Sequence, residues 1–168
     1  MYFISYTDNI NKINVLYLLY LYGIAEYNKT NNYIDTINYI SARKLTEKIN
    51  KKYNKSLSNS TINRFLKDII SGNYNDFLTI DTAKKQILLK NHFRRAKNCA
   101  FVALNKNIFD TLIEIDEDLF CKYTLYLYFV CGKYQKTDST AEQILSALGY
   151  SAQSGKNKSN LSRYNGIL

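Results

Sequence analysis

The sequence predicts an α+β protein, mostly α, in which a three-helix unit occurs twice. Internal repetition carries this first. Leu19-Tyr20-Leu21-Tyr22 returns as Leu125-Tyr126-Leu127-Tyr128, and Tyr27-Asn28-Lys29-Thr30 returns as Tyr134-Gln135-Lys136-Thr137. Ser41-Ala42, Leu45 and Ile49 return as Thr140-Ala141, Ile144 and Leu148, an offset of 99. At the same offset, Ser60-Thr61-Ile62-Asn63-Arg64-Phe65 returns as Ser159-Asn160-Leu161-Ser162-Arg163-Tyr164. Two blocks that keep one spacing across a gap argue for duplication. The second observation is an apolar run with helical spacing in each copy. The third is a pair of short β-prone runs that follows the first copy alone.

The elements follow in order. Residues 9–27 are apolar nearly all round, which predicts a helix central to its unit. Residues 28–40 form an Asn-rich connection in which Tyr33, Ile34, Ile37, Tyr39 and Ile40 supply a short strand. Ser41 caps a helix whose Ala42, Leu45, Ile49 and Tyr53 recur at helical spacing. After a polar turn through Leu57, a third helix starts near Ser58 and turns Ile62, Phe65, Leu66 and Ile69 inward. Gly72 stands where a C-terminal stop is wanted. Residues 77–81 and 86–90, around a polar tip, read as a hairpin, although the tip lacks an Asn-Gly signal.

The second copy opens with the apolar run Phe101-Val102-Ala103-Leu104 and a helix from about Asn105 to Ile113. The acidic knot Glu114, Asp116, Glu117 and Asp118 leads into an apolar helix over 119–131. Thr140-x-x-Gln143 is a capping box for the next helix. Residues 157–166 form the last, with Leu161, Tyr164 and Leu168 inward. The sequence reaches Leu168 where the first copy still has its hairpin to come, which predicts the N-terminal part of a longer protein.

Helix, strand, helix, turn, helix, hairpin is the order of a winged helix-turn-helix, and residues 9–93 resemble winged-helix DNA-binding domains in order and spacing. The expected organisation is two such domains in tandem: a basic one over 1–98, and a second over 99–168 that is incomplete at its wing. Tandem winged helices resemble the replication initiators of plasmids and the replisome organisers of phages, and the stretch from Phe101 to Tyr134 is similar to that family's domains. The resemblance implies origin recognition, binding of repeated DNA sites and recruitment of host replication proteins. An alternative is a transcriptional repressor or conjugation accessory protein of a mobile element. A third reading makes the second domain a dimerisation and protein-interaction module.

Charge fits a polyanion partner. Residues 1–100 carry sixteen Lys and Arg against seven Asp and Glu, while residues 101–168 carry seven of each. The whole excess of +9 therefore lies with the first copy. In a helix-turn-helix the face opposite the apolar stripe of the third helix meets the bases. That face carries Asn59, Ser60, Thr61, Asn63, Arg64 and Lys67. Arg forks onto guanine, Asn pairs with adenine, and hydroxyls serve base or phosphate. Its counterpart in the second copy carries Lys156, Lys158, Ser159, Asn160, Ser162 and Arg163. At the hairpin tip Lys84, Lys85 and Gln86, and after it Arg94, Arg95 and Lys97, suit the phosphate backbone. Lys48, Lys51, Lys52 and Lys55 suit it where the second helix crosses the DNA.

Other functions find no support. Cys99, Cys121 and Cys131 are odd in number, without a C-x-x-C pair and beside the single His92. That excludes a recognisable zinc framework and leaves buried reduced thiols as the expectation. The acidic knot is read as a complement to a helix macrodipole, not a metal site. One histidine and five arginines argue against tyrosine nucleases and recombinases, and no Gly-rich phosphate loop is present. The sequence thus predicts a cytoplasmic, non-enzymatic protein with no cofactor and no membrane span. Its expected partners are double-stranded DNA, a second copy in a homodimer, and host replication proteins.

Overall fold

Helix α1 (Val15–Ile24) is the pivot of the structure. It buries eight side chains, among them Leu18, Leu19, Tyr20 and Leu21, as its all-round apolar sequence requires. In this computed structural model residues 2–27, 34–38, 41–90, 100–134 and 139–168 are described, with backbone alone for 26, 27, 34–36 and 132–134. The protein is α+β and mostly helical, with two small antiparallel sheets.

The chain opens with strand β1 (Tyr2–Ser5) and a 3-10 turn (Asp8–Lys12). One helix over 9–27 was expected from the apolar run. Instead Asn14 breaks it, because its side chain accepts the backbone N–H of Tyr17 at 2.9 Å and caps α1. Strands β2 (Glu26–Tyr27) and β3 (Ile34–Asn38) follow, then α2 (Ala42–Tyr53) and α3 (Asn59–Ile70), capped by Ser41 and Ser58 as the sequence predicts. Tyr33, Tyr39 and Ile40 lie outside the described residues. Gly72, at φ 90°, stops the third helix.

Strands β4 (Leu78–Asp81) and β5 (Gln86–Lys90) form the expected hairpin. Its tip solves the missing Asn-Gly by other means. Asp81 Oδ1 accepts the Lys84 backbone N–H at 2.9 Å, and Lys85 adopts a left-handed φ of 51°. The sheet order is β2-β3-β5-β4, and its register sets Ile87 between Ile37 and Ile80. Ile37, Leu78, Ile87 and Leu89 are buried, and the sheet packs through β3 on α1 and through β4 on α3.

In the second copy, β6 (Phe101–Leu104) precedes α4 (Lys106–Ile115), α5 (Asp118–Tyr134), α6 (Ala141–Ala147) and α7 (Gly155–Asn165). The Thr140–Gln143 capping box is present in full. Helix α7 ends at Asn165, so Leu168, expected inward, is 44% exposed. Cys121 is buried as expected, whereas Cys131 is exposed and Cys99 lies outside the described residues.

The copies share one continuous apolar core. β1 pairs with β6 in a two-stranded ribbon, Ile4 opposite Val102, and α1 packs on both α4 and α5. The turn after α6 closes on the 3-10 turn. Gly149 has φ 78°, and a β-carbon there would stand 2.8 Å from the backbone oxygen of Asn11. Gly149→Ala therefore combines left-handed strain with a backbone clash and is expected to lower stability by about 2–3 kcal/mol in chemical denaturation. A loss within about 0.5 kcal/mol would show that this contact does not hold the copies together.

Candidate nucleic-acid interface

Helix α3 is positioned by a side-chain brace. Asn50 of α2 donates from Nδ2 to the Leu57 carbonyl and accepts the Leu57 N–H at Oδ1, both at 2.9 Å. Asn54 takes the left-handed conformation (φ 52°) that turns the chain. Ile62, Phe65, Leu66 and Ile69 are buried, which fixes the opposite face outward. Asn59, Ser60, Asn63, Arg64 and Lys67 are exposed on it. Thr61 is only half-exposed. Its hydroxyl and that of Ser60 both hydrogen-bond the cap Ser58 Oγ, at 2.9 and 2.7 Å. Among the described residues neither Arg64 nor Lys67 forms an ion pair, so both cations face solvent uncommitted.

The flanking cations divide. Lys85 is exposed at the hairpin tip, and Lys84 Nζ stands 3.8 Å from Asp81, a distant and exposed pair. Gln86 does not project from the tip, because its Nε2 donates to Asn38 Oδ1 on β3 at 2.9 Å. Lys51 and Lys52 are exposed on α2. Lys55, read from sequence as a backbone contact, is largely buried and pairs with Asp116 at 3.1 Å. Arg94, Arg95 and Lys97 lie outside the described residues.

Two of the three cations on the corresponding helix of the second copy, Lys158 and Arg163, are committed to carboxylates, while Lys156 is exposed. Arg163 Nη2 donates to both carboxylate oxygens of Glu117 at 2.7 Å, and Tyr164 donates its hydroxyl to the same carboxylate. Burial pushes the Glu117 carboxyl up, but the hydrogen bonds from Tyr164 and Arg163 outweigh it and hold it below its usual range. Lys158 is paired with Glu142 at 2.6 Å. Asn160 is half-buried, and Ser162 is exposed.

Sequence reasoning missed what the acidic knot does. Each of three carboxylates takes one cation and one tyrosine hydroxyl: Asp116 takes Lys55 and Tyr20, Glu117 takes Arg163 and Tyr164, and Asp118 takes Lys122 and Tyr150. Asp116 caps the C-terminus of α4 in the left-handed conformation (φ 60°), so the N-terminal dipole reading does not apply to it. Asp118 begins α5, yet Oδ1 accepts the N–H groups of Val15 and Leu16 at the start of α1, at 2.6 and 3.3 Å. Burial first, and then the adjoining carboxylates, push the hydroxyls of Tyr20, Tyr150 and Tyr164 far above their ordinary range, so they remain donors. Asp116 and Asp118 latch the second copy to the first, whereas Glu117 binds within the second copy. Among the described residues no group of His, Cys, Asp and Glu could hold a metal ion, and no helix is long and apolar enough to cross a membrane.

The chain matches no family model, no curated protein and no solved structure.

Proposed function

We propose that this is a sequence-specific double-stranded DNA-binding protein, non-enzymatic and cytoplasmic, whose first copy acts as a winged helix-turn-helix with α3 in the major groove. One observation carries the reading. Among the described residues Arg64 and Lys67 stand exposed and unpaired beside Asn63 on α3, whereas Lys158 and Arg163 of the second copy are held by Glu142 and Glu117. A phosphate or base edge needs no competitor displaced at α3, whereas at α7 it competes with Glu117 for Arg163 and with Glu142 for Lys158. The β4–β5 hairpin, with Lys84 and Lys85 at its tip, serves as the wing on flanking phosphates. The second copy then supports the first through the acidic latch.

The biological role we assign is replication initiation on the origin repeats of a plasmid or phage, by resemblance of the tandem architecture. Iterated repeats beside the gene would support it; a lone palindrome would support a repressor instead. The binding itself is tested by fluorescence anisotropy of the full chain on duplex DNA across a salt series. Affinity is expected to fall linearly with salt on logarithmic axes, as counterions leave the phosphates. Salt-insensitive binding, or none to any duplex, would return the positive charge to a role in solubility.

A further inference from the structure

Helix α3 turns Ile62, Phe65, Leu66 and Ile69 into the core, yet Ile70 is 57% exposed, the highest value among the large hydrophobic side chains described. Asn59, Asn63, Lys67 and Ile70 follow one another at spacings of four, four and three residues, and all are exposed, so they form one outward stripe. A polar, unbranched side chain at its end would be better solvated and would suit the helix better. Nothing near it in the chain extends the apolar surface, since Lys67, Ser71 and Asn73 are exposed and polar. A docking surface for a protein or a membrane needs a contiguous apolar patch, and a lone isoleucine does not make one.

We infer that Ile70 packs on the 5-methyl group of a thymine and helps set the sequence that α3 reads, an inference that rests on the proposed placement of α3 in the major groove. The thymine methyl is the apolar group that base edges display in that groove. In a helix isoleucine is held close to one χ1 rotamer, so its methyl groups meet a target at a fixed place. Asn63 and Ile70 stand seven residues apart. At about 1.5 Å of rise per residue, that is about 10 Å along the helix axis. With successive bases about 3.4 Å apart, the thymine lies about three base pairs from the adenine that Asn63 reads. Asn63 and Arg64 supply hydrogen bonds, and Ile70 adds an apolar contact that only a methyl-bearing base returns.

The probe is a duplex that the full chain selects from a pool of random sequence, synthesised with thymine and again with deoxyuridine replacing each thymine in turn. Deoxyuridine keeps every hydrogen-bonding group of thymidine and lacks only the methyl. Fluorescence anisotropy at fixed salt should show one replacement that weakens the parent chain about threefold to fivefold, the worth of burying one methyl group. That replacement should fall about three base pairs from the position where Asn63→Ala loses its preference for adenine. Ile70→Ala should bind the thymine duplex as weakly as the parent binds that deoxyuridine duplex, and the replacement should weaken it no further. Ile70→Val keeps a branched apolar side chain and should retain the preference for thymine. Ile70 is exposed, so both variants should fold. Affinity unmoved by every replacement, or an Ile70→Ala chain as sensitive as the parent, would overturn the inference. If Arg64→Ala still weakens binding in that case, the placement of α3 on DNA survives it. Selection of no duplex at all would remove both.

Discussion

Asp118→Ala is expected to destabilise the protein by about 3–5 kcal/mol in chemical denaturation, the largest loss of any single polar substitution considered. The carboxylate does three things at once. It caps α1 through Val15 and Leu16, accepts the Tyr150 hydroxyl at 2.7 Å, and pairs with Lys122 at 3.2 Å. The Lys122 side chain is 6% exposed, and among the described residues it otherwise meets the Asn11 carbonyl at 3.1 Å and the Tyr150 ring. Alanine would leave a buried ammonium uncompensated and two helix N–H groups without a partner, and both cost far more than a surface pair. In a Lys122→Met background the loss should shrink by more than half, because the stranded charge is gone. If the loss is undiminished there, capping of α1 is the whole effect. A loss below about 1 kcal/mol in the parent chain would mean the copies are not held through this carboxylate.

Arg64→Ala and Asn63→Ala should each cost about 1–3 kcal/mol on the cognate duplex and less on random DNA, because bidentate base contacts discriminate between sequences. Both side chains are exposed, so the fold should survive either change. Lys84→Ala and Lys85→Ala should weaken cognate and random duplex about equally, since phosphate contacts carry no sequence information directly. Anisotropy on a cognate and a scrambled duplex separates the two behaviours. Relaxed specificity from the lysine variants, with Arg64→Ala neutral, would place the hairpin and not α3 in the groove.

Much of the fold was legible because local signals and burial agreed. The apolar periods of α2 and α3, their Ser41 and Ser58 caps, the Gly72 stop and the Thr140–Gln143 box all stand as read. Errors arose where a residue's partner is remote in sequence. Asn14 split the first helix by capping it, and α1 borrows its second cap from Asp118, 103 residues away. β1 was not foreseen, since four residues gain strand structure only by pairing with β6. The site shows the same division. The outward face of α3 follows from its apolar stripe alone, so Asn63, Arg64 and Lys67 could be named from spacing. Arg163 keeps the register of Arg64, and nothing local reveals that Glu117 holds it from 46 positions back. The same blindness applies to Lys55, whose partner Asp116 lies in the other copy.

We propose that the first copy reads DNA and the second does not. Glu117 occupies Nη2 of Arg163 and offsets its charge, so a phosphate or base there competes with a carboxylate. The most direct measurement compares Arg64→Ala with Arg163→Ala in the full chain, by anisotropy on one cognate duplex at fixed salt. Arg64→Ala is expected to weaken binding by roughly tenfold to a hundredfold, while Arg163→Ala changes it less than about threefold. Equal losses, or a loss for Arg163→Ala alone, would show that α7 reads DNA despite its ion pairs and would contradict the account.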